Sequence, residues 1–360
     1  MAPYARPMPS SPRPDPEKAA DREVDWDGVR LHVITGKGGT GKTTAAASLA
    51  IALATGGHRV LIIEVEGRQG LSQVFDVPPL AYAERRMAVA PGGGEVFGLA
   101  VDAEEALLEY LEMFYNLRRA GTALRRMGAI DFATTVAPGV RDVLLTGKAK
   151  EAVRRQQDGV PVYDAVVMDA PPTGRIARFL NVNAEVAGLA RSGPIRTQAD
   201  AVMAVIGSRL TAVHVVTLLE EMPVQETADG VQALREAGLP VGGVIVNQIR
   251  RPRLNRTNQT KARRHSFDVA AIAAELSSAG VLTASGTLAG SLVDVSGSTI
   301  VDVLIAEAAD HAERVALEQR ERENIQALHR PTYEIAFMPD GVDVGTLYEF
   351  AESLREQGMA

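Results

Sequence analysis

Residues 36–44, Gly-Lys-Gly-Gly-Thr-Gly-Lys-Thr-Thr, are the part of the chain best suited to chemistry. Gly36, Gly41, Lys42 and Thr43 satisfy the spacing G-x-x-x-x-G-K-[ST]. Glycines let backbone N–H groups turn inward around phosphate oxygens without a Cβ clash. A helix starting at the lysine adds the partial positive charge of its N-terminus. Lys42 would bridge the β- and γ-phosphates of ATP, and the Thr43 hydroxyl would hold Mg2+. A metal on that side calls for a carboxylate. "VVMDAPPTG" offers Asp169 at the end of an apolar run, where it could order a magnesium-bound water. Lys37 is surplus to a simple phosphate loop and needs a role of its own.

These residues need particular elements to hold them. "VRLHVIT" is a short apolar run that ends at glycines, as a buried strand does. "KTTAAASLAIALATGG" is alanine-rich and helical and stops at Gly56-Gly57. "RVLIIEVEG" is a second strand. Strand, helix and strand in succession make a βαβ unit, hence a parallel sheet with a right-handed crossover. "YDAVVMDA" (163–170), "TAVHVVTLL" (211–219) and "GGVIVN" (242–247) suit the same sheet buried on both faces, and "PTYEIAF" (331–337) adds a final strand. Helical patterns cover 222–237, 299–328 and 343–356. The intervening stretch 103–158 reads as a helical subdomain inserted in the α/β core, with Leu107, Leu108, Leu111, Phe114 and Leu117 at helical spacing. Residues 250–267, polar and basic, read as a mobile loop.

Composition bounds the rest. The chain has 360 residues and a net charge of −7, from 38 basic and 45 acidic side chains, which argues against nucleic acid as a partner. It has no cysteine, so disulfides, thiolate catalysis, iron–sulfur clusters and cysteine zinc sites are excluded. Residues 1–28 are rich in proline and charge and read as a disordered tail, without the apolar run of a signal peptide. No stretch approaches eighteen apolar residues, so no transmembrane segment is expected. The expected location is cytoplasmic.

Taken together, the motifs resemble a family. "GKGGTGKTT" is the two-lysine phosphate loop of a class of dimeric ATPases. "DAPPTGR" resembles the D-T-A-P-T-G-H signature of the branch that holds the arsenite-pump ATPase and the ATPase that targets tail-anchored membrane proteins. "VNQ" (246–248) and "DGVDVGTLYEF" near the C-terminus resemble that branch too. The whole chain is similar to the ArsA-like anion-transporting ATPases of actinobacteria. The resemblance implies an α/β P-loop NTPase, with a mostly parallel sheet flanked by helices, over 29–352. It implies ATP and Mg2+ as cofactors, and a homodimer or a heterodimer with a paralogous ATPase. It also implies a hydrophobic client helix or membrane-protein partner, whose groove would fall in 103–158 near Met113, Phe114, Tyr115, Met127 and Phe132. Those side chains read more readily as the subdomain's own core.

The resemblance assigns roles by position. Lys37 matches the signature lysine that reaches across a dimer to the partner's nucleotide. Gly38, Gly39, Thr40, Gly41, Lys42, Thr43 and Thr44 match the phosphate loop. Asp169, Pro172, Thr173 and Gly174 lie in switch II, which senses the γ-phosphate. Asn247 matches an adenine-contacting asparagine. "EVEGRQGLSQVF" occupies switch I, where the family usually has D-P-A-H. Glu66 stands at the place of the aspartate that orients the attacking water and is one methylene longer. Glu64 is a second candidate on the same strand face. Arg175 replaces the usual histidine. Without cysteines, arsenite cannot be bound in the family's thiolate manner. Two functional readings follow: an active ATPase switch handling a client or partner, or a catalytically weak ATP-binding assembly subunit.

Overall fold

In the computed structural model, the residues described are 25–67, 69–102, 104–106, 108–109, 138–189, 194–282 and 297–360. They include β1 (Leu31–Gly36), α1 (Lys42–Ala54), β2 (Arg59–Glu64), α2 (Gly70–Val74), β3 (Arg85–Val89) and β4 (Glu95–Ala100). Then come α3 (Pro138–Arg154), the two-residue strands β5 (Gln156–Gln157) and β6 (Val160–Pro161), β7 (Ala165–Asp169), α4 (Thr173–Leu189) and α5 (Pro194–Ile206). The chain continues through β8 (Thr211–Thr217), α6 (Glu221–Glu236), β9 (Val241–Ile249), α7 (Arg256–Arg263) and α8 (Val269–Ser278). It closes with α9 (Gly297–Gln326), β10 (Thr332–Ala336) and α10 (Val344–Glu356).

Eight strands form one sheet in the order β10-β9-β8-β1-β7-β2-β4-β3. Pairing is parallel from β9 through β8, β1, β7 and β2 to β4, and β3 pairs antiparallel with β4. Period-2 alternation sends each strand's side chains into two separate cores. Ile34, Val60, Ile62 and Val167 pack with α1 and with Leu347, Phe350 and Leu354 of α10. Leu31, Val33, Leu61, Ile63, Val166 and Met168 pack with Leu145 and Ala149 of α3, Ile176 and Phe179 of α4, and Val202 and Val205 of α5. Helix α1 is buried at every residue from Ala45 to Ala54 except Leu53. Its alanines let sheet and α10 close on it from both sides.

The chain divides into two compact units. One comprises 1–217, 226–248 and 330–360; the other comprises 218–225 and 249–329. The first carries the sheet and all the predicted site residues. In the second, α7 and α8 both contact α9, and Arg263 pairs with Glu313 of α9 at 3.1 Å.

Several expectations need adjusting. The expected subdomain at 103–158 falls largely outside the described residues, as do Leu111, Met113, Phe114, Tyr115, Leu117, Met127 and Phe132. Its described end, α3, packs on α4, α5 and β7 within the first unit. The stretch 250–267 is not simply a loop. It contains α7, capped where Asn255 Oδ1 accepts the Asn258 N–H at 2.9 Å. Residues 1–24 of the expected tail lie outside the described residues. The last part of that tail packs on the core. Trp26 Nε1 donates to Tyr333 Oη at 2.8 Å, and Tyr333 donates to Asp25 at 2.6 Å. Strands β3 and β4 were not anticipated. No helix among the described residues is long and apolar enough to cross a membrane.

Candidate functional site

The parallel register brings three strand ends together. Ile34 of β1 pairs with Asp169 of β7, and Asp169 pairs in turn with Glu64 of β2. Gly36, at the end of β1, opens the phosphate loop. The carboxyl ends of adjacent parallel strands are where open α/β sheets place ligands. The pairing thus puts Gly36, Asp169 and Glu64, each named from its own motif, on one edge.

One side of the loop is tightly held. A Cβ on Gly36 would lie 2.3 Å from the carbonyl oxygen of Val216. Gly41 adopts a φ of +85° as N-cap of α1, and its Cβ would lie 2.2 Å from Asn247 Nδ2. Neither position tolerates a side chain. The other side is open: a Cβ on Gly38 or Gly39 would meet nothing within 4 Å. Thr40 locks the turn by donating its hydroxyl to the Lys37 carbonyl at 2.9 Å. Such a backbone cradle, capping a helix N-terminus, fits a polyphosphate.

The metal side is as coherent. Thr43 Oγ1 donates to Asp169 Oδ2 at 2.7 Å. Asp169 is buried, and desolvation pushes its carboxyl up to about 6, reinforced by the charges of Glu64 and Glu66. The Thr43 hydroxyl and the Lys42 charge oppose that shift. A divalent cation here would restore the charged carboxylate. Glycine 70, at the start of α2, sits against Thr43, its would-be Cβ 3.3 Å from Thr43 Cγ2. Switch I thus touches the residue expected to hold Mg2+. The donor set of one hydroxyl, buried carboxylates and phosphate oxygens suits that hard cation.

A model of the family described as anion-transporting ATPase matches residues 29–204. ATPase BagA of Mycobacterium tuberculosis is 50% identical over 341 residues, 93% of this chain and 96% of its own length. The chain belongs to the anion-transporting ATPase family, the ArsA type. ATPase GET3 of Rhodotorula glutinis is 26% identical over 207 residues, 55% of this chain and 56% of that protein. ATPase ARSA2 of Chlamydomonas reinhardtii is 29% identical over 168 residues, 46% and 41% of the two chains. This ArsA-type chain is therefore a nucleotide-binding, ATP-hydrolysing enzyme.

The remaining predicted residues of the ATPase fall around the same edge. Thr44 follows Thr43 in the first turn of α1. Thr173 and Gly174 open α4, after Pro172. The Pro171 carbonyl accepts from the buried Thr35 hydroxyl at 2.7 Å, tying switch II to β1. Glu66 lies just past β2, half-buried and close enough for its charge to act on Asp169. Arg175 is exposed, and its charge acts on Asp142 of α3. Asn247 makes contacts within the protein that the sequence did not name. It lies within β9, buried, and its Nδ2 donates to the Thr40 carbonyl at 2.9 Å while its Oδ1 accepts the Gln248 N–H at 2.8 Å. In this structure its amide clamps the phosphate loop.

Glu226 was not foreseen. Its Oε1 lies 2.8 Å from Lys37 Nζ, both side chains about one-third exposed. One turn on along α6, Gly230 abuts switch II: a Cβ there would lie 3.1 Å from Thr173 Cγ2. Residues four apart share a helix face. That face of α6 therefore meets both Lys37 and Thr173, the positions that the resemblance gives to the signature lysine and to switch II. The signal in the sequence was weak, a single glutamate among the polar residues of an amphipathic helix.

Proposed function

We propose that the protein is a Mg2+-dependent ATPase switch in which ATP closes two copies, or this chain and a paralogous subunit, and so drives a client or partner protein. The observation that carries this reading is the division of labour between the two lysines. Lys42 sits at the mouth of a complete phosphate cradle, with Thr43 and Asp169 on its metal side. Lys37 is held instead by Glu226. A second positive charge that does not serve its own loop is available to a neighbouring subunit's nucleotide.

In this reading, Lys42 and the loop N–H groups bind the β- and γ-phosphates and screen their charge. Thr43 would hold Mg2+ directly and Asp169 through a water. When bound there, the metal would supply charge neutralisation and a template for in-line transfer. Glu66 orients the attacking water and accepts its proton. Thr173 and Gly174 report the γ-phosphate to α4. Lys37 leaves Glu226 and reaches the partner's phosphates, so neutralisation in trans couples hydrolysis to closure. Asn247 sets the loop and lies near the base of the nucleotide. A cytoplasmic location fits an ATP-consuming switch. The client-handling groove is assigned to 103–158.

The assembly-subunit alternative stays in view because Glu66 replaces aspartate in switch I. One experiment separates the readings. The purified chain, alone and with any paralogous ATPase, is assayed for ATP turnover and for mass with and without nucleotide, alongside Lys37→Ala. The switch reading expects Lys37→Ala to bind nucleotide normally and lose turnover. Normal hydrolysis by Lys37→Ala defeats the trans mechanism.

A further inference from the structure

Glu64 ends β2 and is 2% exposed. Its Oε2 accepts the Leu71 N–H at 3.0 Å, which anchors the start of α2. Its Oε1 is buried and has no hydrogen-bond partner. Leaving a carboxylate oxygen buried and unpaired costs free energy, so a fold that keeps one invites a search for the missing donor. The surroundings identify the kind of donor. Pairing sets Glu64 beside Asp169, and Asp169 accepts from Thr43. Gly70, the residue before Leu71, is packed against Thr43. Glu64 thus reaches the metal side of the nucleotide site from the switch I direction. Among the described residues, no cluster of three or more side chains could hold a metal by itself. A cation arriving with phosphates and keeping several waters is the one such a site can take, and magnesium behaves that way.

We propose that Glu64 is a second carboxylate of the metal side, its free Oε1 accepting a hydrogen bond from a water of the Mg2+ that accompanies nucleotide. Its other oxygen stays on Leu71. One side chain then links the cation to α2, so metal loading and the position of switch I are coupled. The inference rests on the ATPase reading above, and the competing explanation is that Glu64 only anchors α2.

The test uses binding without turnover. A fluorescent ADP analogue is titrated onto the full chain in EDTA and at rising Mg2+, for wild type and Glu64→Gln. Glutamine keeps an oxygen for Leu71 and removes the charge. The expected result is a Mg2+ midpoint raised about tenfold in Glu64→Gln, the usual cost of losing an outer-sphere partner, with ADP affinity in EDTA unchanged or tighter. A folded Glu64→Gln with the wild-type Mg2+ midpoint overturns the proposal. Should Glu64→Gln not fold, Glu64→Asp serves: a shifted Mg2+ midpoint supports the metal-side role, and lost stability with an unshifted midpoint overturns it. Wild-type binding of ADP that ignores Mg2+ defeats the metal reading of the whole site, whereas a normal wild-type response with an unshifted variant defeats this inference alone.

Discussion

Lys37 Nζ and Glu226 Oε1 lie 2.8 Å apart, joining the phosphate loop to α6 between residues far apart in the sequence. The pair is partly solvated, so its intrinsic worth is small, about 0–1 kcal/mol. Its importance is positional. The same α6 face meets Thr173 of switch II at Gly230. In the proposed switch, a change at Thr173 on nucleotide binding would bear on the helix that holds Lys37. The contact is weak enough for phosphate charge to outbid, as a releasable hold requires.

Removing that hold should ease closure. Glu226→Gln leaves Lys37 without its charged partner, so less must be broken before the lysine crosses to another subunit. We expect ATP-dependent association to strengthen by up to about fivefold, the equivalent of about 1 kcal/mol. Sedimentation or mass photometry over a concentration series with ATP and Mg2+ reads this directly. Weaker association in the variant would mean that Glu226 guides Lys37 rather than restrains it.

Switch I gives a second prediction. Glu66 carries the carboxylate one methylene further from the backbone than the aspartate of the family motif. Misplacing a general base by about 1 Å can cost on the order of a hundredfold in rate. Glu66→Asp should therefore raise ATP turnover roughly tenfold or more, with nucleotide affinity little altered. Steady-state phosphate release and ADP binding check the two halves. Unchanged turnover would show that side-chain length is not what limits this enzyme.

The elements around the site were legible because their sequence patterns are local. The Val/Ile runs of β1, β2, β7, β8 and β9 mark strands buried on both faces, and "GKGGTGKTT" marks the cradle between β1 and α1. Strands β3 and β4 escaped notice because "RRMAV" mixes charge with half-buried positions and "EVFGLA" contains a glycine, Gly98. Helix α7 escaped because it is almost wholly polar; its clearest signal was the cap at Asn255 rather than any apolar period. Individual site residues were named by motif, but their partners were not. Thr43 with Asp169, Thr40 with Asn247, and Lys37 with Glu226 are joined only by the sheet order and by packing. No local spacing encodes a contact across more than a hundred residues.

The Thr40–Asn247 contact yields a third prediction. Asn247→Ala removes the donor to the Thr40 carbonyl, in a residue 1% exposed, and opens space beside Gly41. An unpaired buried carbonyl costs about 1–3 kcal/mol. Part of that cost should appear as loosening of the loop, lowering nucleotide affinity roughly tenfold. Calorimetric titration with ADP measures it. Full affinity in Asn247→Ala would show that the loop is set by Gly36, Thr40 and α1 without the clamp.

The last prediction concerns acid, and it follows from two buried histidines in the centre of the sheet. His32 Nδ1 and His214 Nε2 lie 3.1 Å apart with rings stacked, and His214 Nδ1 accepts the Gly243 N–H at 3.0 Å. Only one tautomer satisfies both contacts: His214 carries its proton on Nε2 and donates to His32. Trp26 packs edge-on against the His214 ring, and no carboxylate contributes to the shift of either histidine. Burial holds His32 down to about 4, partly opposed by a backbone contact at Val29, and it holds His214 well below its usual value, helped by the charges of His32 and Arg330. Both groups therefore bind protons more readily in the unfolded chain. Their contribution is intact above the unfolded value near 6.5 and is lost as pH falls towards the folded values. For His32 alone the loss between pH 6.5 and 4 is on the order of 3 kcal/mol. The thermal midpoint should fall over that window, and His32→Leu should fall less steeply. Parallel slopes for the two proteins would mean that other groups, chiefly carboxylates, carry the acid sensitivity.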